Sequence, residues 1–273
     1  MFLTENEWVV GDIGDGSREY WQCPQTCRQV GIYDGSDPKI QFPKGLHTHI
    51  KAGRADVTTF HQGMPFQPYR VRVVKKVSHN GSIKNVLRME GGNLSEQAQC
   101  MLVRKFLEST SWADKKEVKC NVWFMPTEEG FSSRLEASSH LFANFELRGE
   151  RSVTATDGGN QVIGFFVRGD KMFIRYWGQK DGVTNKGMER IDIPYKVLFG
   201  RWYKLSIILT PLDKEGQWDF TITLNSDGKR LFTVENQSPI CFIDSVHSYA
   251  IGDERPNDND GGVFYWECPK ITV

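Results

Sequence analysis

The chain has 273 residues, 34 basic and 34 acidic side chains, a formal net charge of zero and 12% aromatic residues. That balance disfavours partners held by a basic excess, namely nucleic acid or an anionic membrane surface. No apolar run reaches the roughly 18 residues of a spanning helix, and the opening MFLTENEWVV lacks the basic and apolar regions of a signal peptide. A cytoplasmic, particle-borne or leader-processed product all fit that opening.

Residues 1–65 are irregular, with turn clusters at GDIGDGS, YDGSDPK and QFPKGLHTH. They read as loops and a few edge strands wrapping a core at 66–273, in one domain. From Tyr69 onward the apolar period becomes 2, the mark of half-buried strands. YRVRVVKKV, the turn HNGS and IKNVLRMEGG form a hairpin signal. QAQCMLVRKF, VKCNVWFMP, HLFANFELRG, QVIGFFVRG, KMFIRYWGQ and RIDIPY continue the series, and WYKLSIILTPL, WDFTITLNSDGKRLFTVE and VFYWECPKITV complete it. Only LSEQAQCMLVRKFLEST has a pattern that a helix could share, and its β-rich neighbours favour a strand. The fold class expected is all-β, an antiparallel two-sheet sandwich. Among the six cysteines, Cys120 and Cys268 fall in strand-like runs and are expected as buried free thiols. Cys23 and Cys27 lack the neighbours of a zinc site.

Alternation also assigns faces. Leu141, Ala143, Phe145 and Leu147 read as core, with Asn144, Glu146 and Arg148 opposite. Met172, Ile174 and Tyr176 read as core against Phe173, Arg175 and Trp177, and Leu87 and Met89 against Arg88 and Glu90. The second face is either an ordinary solvated surface or a concave groove. In a groove, guanidinium groups pair with carboxylates or sulfates while a flat ring stacks on a sugar. The groove reading nominates Arg88, Glu90, Asn144, Glu146, Arg148, Arg175 and Trp177 as ligand-binding.

VLRMEGG, KCNVWFMP, GRWYKLSIIL, WDFTITLNSDGKRLF and the closing GGVFYWECPKITV follow one another in an order that resembles the concanavalin-like and laminin-G-like jelly-roll superfamily, in its polysaccharide-binding and polysaccharide-lyase branches. The resemblance covers about two-thirds of the chain, Val86 to Val273. It implies carbohydrate binding, or a lyase acting on a uronic-acid polymer by β-elimination. Such lyases carry a Gln-x-His pair on a central strand and a Tyr-x-Lys-x-Gly-x-Tyr stretch near the end. Aligned on Gly252, this chain has Ala250 and Glu254 at the lysyl and second tyrosyl positions. A rearranged set of His140, Asn144, Arg148, Tyr176 and Lys180 is the lyase candidate, with Asn144 or Arg148 neutralising a carboxylate and a Tyr, His or Lys moving the proton.

Glycoside hydrolysis needs two carboxylates about 5–10 Å apart, and only Glu146 and Glu90 offer a pair. The loop from Asp253 to Gly262 is acidic, and Asp253, Asp258 and Asp260 are candidate ligands for a structural calcium. His47 and His49 have the i, i+2 spacing of a metal-binding pair, with His61 the only candidate third ligand, but they read better as a surface loop pair. A structural or adhesion component of a virion or other particle is the third functional reading.

Overall fold

Apolar side chains at every second position give each strand one face that water rejects, and two sheets bury those faces against each other. The computed structural model describes residues 1, 57–58, 71–90, 100–128, 142–151, 161–180, 185–235, 238–253 and 263–273. The first sheet runs, in spatial order, β1 (Val57–Thr58), β4 (Cys100–Ser111), β13 (Ile243–Asp253), β6 (Phe142–Arg151), β7 (Gln161–Arg168), β8 (Lys171–Lys180) and β9 (Asn185–Ile193). The second runs β12 (Lys229–Glu235), β11 (Trp218–Ser226), β10 (Tyr203–Pro211), β5 (Val118–Pro126), β14 (Val263–Trp266), β3 (Ile83–Glu90) and β2 (Val71–Val77), with β15 (Lys270–Thr272) also on β5. Every pairing is antiparallel. This is the two-sheet jelly-roll sandwich expected from the sequence.

The segment with helix-like spacing is a strand from Cys100 onward, because β13 supplies a hydrogen-bonding partner along it. Its end is capped by a single 3-10 turn, Trp112–Asp114, where Ser111 and Asp114 exchange side-chain to backbone hydrogen bonds. Of the expected wrapping segment at 1–65, β1 lies at the first sheet's edge, and the Met1 ammonium donates to the Val273 carbonyl at 2.7 Å. The remainder of that expectation, with His47, His49 and His61, lies outside the described residues.

The core forms between the sheets. Phe124 of β5 packs against Phe165 of β7, with ring centroids 5.2 Å apart, and against Trp266 and Tyr203, each at 5.3 Å. Trp218 is fully buried, and its indole N–H donates to the Ile243 carbonyl at 2.9 Å, tying the second sheet to the start of β13 in the first. Cys120 and Cys268 are buried, as expected, and so is Cys241. Burial pushes the Cys120 thiol far up from its ordinary range, which removes it as a nucleophile.

Gly149 sits where the pairing of β6 with β13 slips register. A Cβ there would lie 1.8 Å from the Ser245 carbonyl oxygen, and backbone cannot yield as a side-chain tip can. Gly149→Ala is therefore expected to cost at least about 2 kcal/mol. Urea unfolding checks this, as a lower midpoint with an unchanged slope; an unchanged midpoint contradicts the close approach.

Candidate functional site

On β6, Ala143, Phe145 and Leu147 enter the core between the sheets, so Asn144, Glu146 and Arg148 point the other way. That second face is not solvated. Asn144 and Glu146 are 0% exposed and Arg148 is 5% exposed. A carboxylate removed from water this completely persists only if its charge is paired and its lone pairs are satisfied. Glu146 meets that condition within its own strand. Asn144 Nδ2 donates to Glu146 Oε1 at 3.1 Å, and Arg148 Nε donates to Oε2 at 3.1 Å. Alternation makes this possible, since residues two apart on a strand share a face.

The strands on either side carry little bulk opposite this triad. Register places Gly252, Ala250 and Ser248 of β13 beside Asn144, Glu146 and Arg148 respectively. On the other side β7 places Phe166 beside Asn144 and Gly164 beside Glu146. A Cβ on Gly164 would fall 2.6 Å from Gln161 Nε2 and 2.7 Å from the Phe166 ring, so glycine lets those two side chains close in.

Beyond β7, the Phe166 and Phe173 rings stack at 5.2 Å and 7°, a small apolar cluster on the face turned from the core. Two guanidinium groups cover it. Arg190 lies 4.1 Å from the Phe173 centroid and is neutralised by Asp192 at 2.6 Å. Arg175 lies 5.3 Å from the Phe166 centroid and is half-buried, and its guanidinium has no hydrogen bond or ion pair among the described residues. It is a cation of this face that has no ion pair among the described residues.

The structure thus places Asn144, Glu146, Arg148 and Arg175 on one face. Trp177 shares that face by alternation but is only 6% exposed, so its ring is not an open stacking platform. Other nominees lie elsewhere. Arg88 and Glu90 belong to β3 of the second sheet, where Leu87 and Met89 fill the core. Arg88 therefore faces the opposite side of the sandwich. The Glu90 side chain lies outside those described; its strand, β3, belongs to the second sheet and Glu146 to the first. Tyr176 is a core residue, as its alternation predicts, and not a partner of Asn144. Its hydroxyl is 2.9 Å from Ser238 Oγ, and burial raises its phenol above the ordinary range. Lys180 ends β8 and Asp253 ends β13, and neither side chain is among those described. His140, Asp258 and Asp260 lie outside the described residues. Among the described residues no group of three or more His, Cys, Asp or Glu is placed to hold a metal ion, and no helix is long and apolar enough to cross a membrane.

Sequence reasoning missed a second polar cluster, on the outer face of the second sheet. The tip of the β2–β3 hairpin turns over that face, and the His79 ring stacks on Trp123 at 3.8 Å and 3°. His79 Nδ1 lies 2.7 Å from Glu267 Oε1, with Lys84 Nζ 3.6 Å from the other oxygen. Lys76 covers the Tyr265 ring at 3.9 Å. The stretch HNGS signals only a turn; its partners lie far away in sequence.

No protein-family model matches the sequence, nor does any curated protein. Among solved structures, the chain is similar to an endo-β-1,4-glucuronan lyase from the fungus Trichoderma reesei, at 10% identity and a TM-score of 0.53, over 75% of this chain and 87% of that one. It is more loosely similar to the alginate lyase vAL-1 from Chlorella virus, at 9% identity and a TM-score of 0.47, over 81% and 93%. The binding domain of botulinum neurotoxin serotype G matches at 11% identity and 0.43, over 81% and 44%. The glucuronan lyase establishes the shared jelly-roll fold; the two looser likenesses add nothing to that.

Removing one partner of a buried ion pair strands the other charge. Arg148→Met is expected to destabilise by about 3–5 kcal/mol. Combining it with Glu146→Met should recover most of that loss, because no buried charge is then left unpaired. Urea unfolding of both variants checks the coupling. Additive losses would contradict it.

Proposed function

We propose that this chain binds a glycan at the part of the first sheet's outer face where the half-buried Arg175 and the exposed Arg190 lie, beyond the enclosed triad of Asn144, Glu146 and Arg148. The observation that carries the reading is the half-buried guanidinium of Arg175, which has no hydrogen bond or ion pair among the described residues and lies two strands from the enclosed triad of Asn144, Glu146 and Arg148. Binding faces combine apolar lining with a few fixed polar groups. Here Arg175, held over the Phe166 ring, is the donor available to an acidic group on the sugar.

The jelly-roll fold shared with the glucuronan lyase supports a carbohydrate ligand as an analogy of fold. β-Elimination is the alternative reading. Tyr176 of its candidate set faces the core, and Ala250 stands where the resemblance puts a lysine. Arg148 Nε and Asn144 Nδ2 already donate to Glu146, and both side chains are enclosed, which places neither against a substrate carboxylate. Calcium at Asp253, Asp258 and Asp260 is a separate proposal, which a shift in melting temperature on adding calcium to the chelator-treated protein tests.

A glycan array tests the function, paired with ultraviolet absorbance of unsaturated uronates during incubation with alginate, glucuronan, heparin and pectin. The expected outcome is array binding with a flat absorbance trace. Arg175→Ala should weaken binding of an acidic glycan about tenfold to a hundredfold, the worth of a charge-assisted hydrogen bond. A rising trace would establish the lyase. Absence of both binding and turnover would favour a structural component of a particle.

A further inference from the structure

Arg175 and Arg190 are register partners across β8 and β9, so their Cβ atoms start about 5 Å apart on one face. Each guanidinium rests by one ring of the Phe166 and Phe173 stack, Arg175 at 5.3 Å and Arg190 at 4.1 Å from the centroid. Like charges placed opposite each other repel, and a single acid, Asp192, relieves this pair. Its Oδ1 accepts from Arg190 Nε at 2.7 Å and lies 2.6 Å from Nη2. The three groups together carry one net positive charge.

Register also sets Asp192 relative to Arg175. It lies opposite Phe173, two residues along β9 from Arg190, and is thus the diagonal neighbour of Arg175 at about 7–8 Å. That is within the Debye length of about 8 Å at physiological salt. Other charges of the face count for less. Arg168 and Lys171 pair with each other four residues along their strands, on the order of 13 Å away. Glu146 and Arg148 cancel within the enclosed triad. The charges of the cluster are open to a ligand: the Arg190 side chain is 52% exposed, Asp192 72%, and Arg175 half-buried. An acid seated on Arg175 therefore meets two cations and one carboxylate. Its first negative charge neutralises the cluster, and a second is left facing Asp192.

We propose that Asp192 sets the charge of the acid this face accepts: Arg175 and Arg190 together take one singly charged group, a uronate carboxylate or a sulfate ester, and Asp192 turns away a doubly charged phosphate monoester. The inference rests on the glycan-binding reading and names the class of sugar acid within it.

Methyl glucuronide, glucose 6-sulfate and glucose 6-phosphate present the three acids at C6 of the same sugar framework. At pH 8 the phosphate is doubly charged and the other two singly. Nuclear magnetic resonance titration of the full chain, following the Arg175 and Arg190 backbone amides, gives the three dissociation constants. The unmodified chain is expected to bind a singly charged sugar more tightly than the phosphate, and the tighter of the two identifies the acid. Asp192→Asn should shift the sulfate-to-phosphate ratio about threefold to tenfold toward phosphate. Arg190→Gln should weaken all three about threefold or more, although Arg190 already holds an ion pair. Asp227→Asn is the matched control. It removes a similarly exposed acid from its pair with Arg201 in the second sheet, and the ratio should not move. Both aspartate variants should keep the urea midpoint, since exposed ion pairs add little stability.

Tighter binding of phosphate than of both other acids by the unmodified chain, a ratio indifferent to Asp192→Asn, or the same shift from Asp227→Asn would overturn the inference. Array binding confined to neutral glycans would do so too, as would an acidic glycan bound on the array while none of the three sugars moves these amides. Binding to no glycan on the array would instead sink the function on which it rests.

Discussion

A carboxylate with no exposure to water, Glu146, sets the terms for the first sheet's outer face. Burial of that charge is tolerable because two strand neighbours, Asn144 and Arg148, each give one oxygen a donor. Both side chains are enclosed along with it. The chemistry left to the face is then narrow, because Phe166, Phe173 and the small residues of β13 are enclosed as well and the guanidinium of Arg175 is only half-buried. The same constraint explains why Arg148, the most conspicuous cation in the sequence pattern, is structural in this arrangement, while Arg175 two strands away is available.

The period-2 pattern carries the fold well, because core burial acts on each strand separately. Ala143, Phe145 and Leu147 on β6 and Met172, Ile174 and Tyr176 on β8 enter the core as alternation requires. The same pattern is silent about which sheet a strand joins. Arg88 and Asn144 look alike in sequence, each alternating with core residues, yet β3 and β6 lie in different sheets and their polar faces point to opposite sides of the sandwich. Pairing order is decided by contacts between strands distant in the chain, such as β13 between β4 and β6. No local spacing encodes it.

Nor does alternation reveal how deeply a second face is buried. Arg and Glu two residues apart read as surface, but Trp177, Glu146 and Arg148 are all enclosed. The one local clue is the i, i+2 spacing of Asn144, Glu146 and Arg148, which fits a self-satisfying polar row as well as it fits an open groove. The stack of His79 on Trp123 is illegible for a different reason. It joins a hairpin turn to β5, and the carboxylate that anchors it, Glu267, lies 188 residues away.

The most direct test of the account is a crystal structure of the chain with the glycan it binds most strongly on the array. The expected result is a sugar against the half-buried Arg175 of the first sheet, with any acid on its guanidinium. A sugar seated instead on the outer face of the second sheet, against Trp123 and Tyr265, would contradict it.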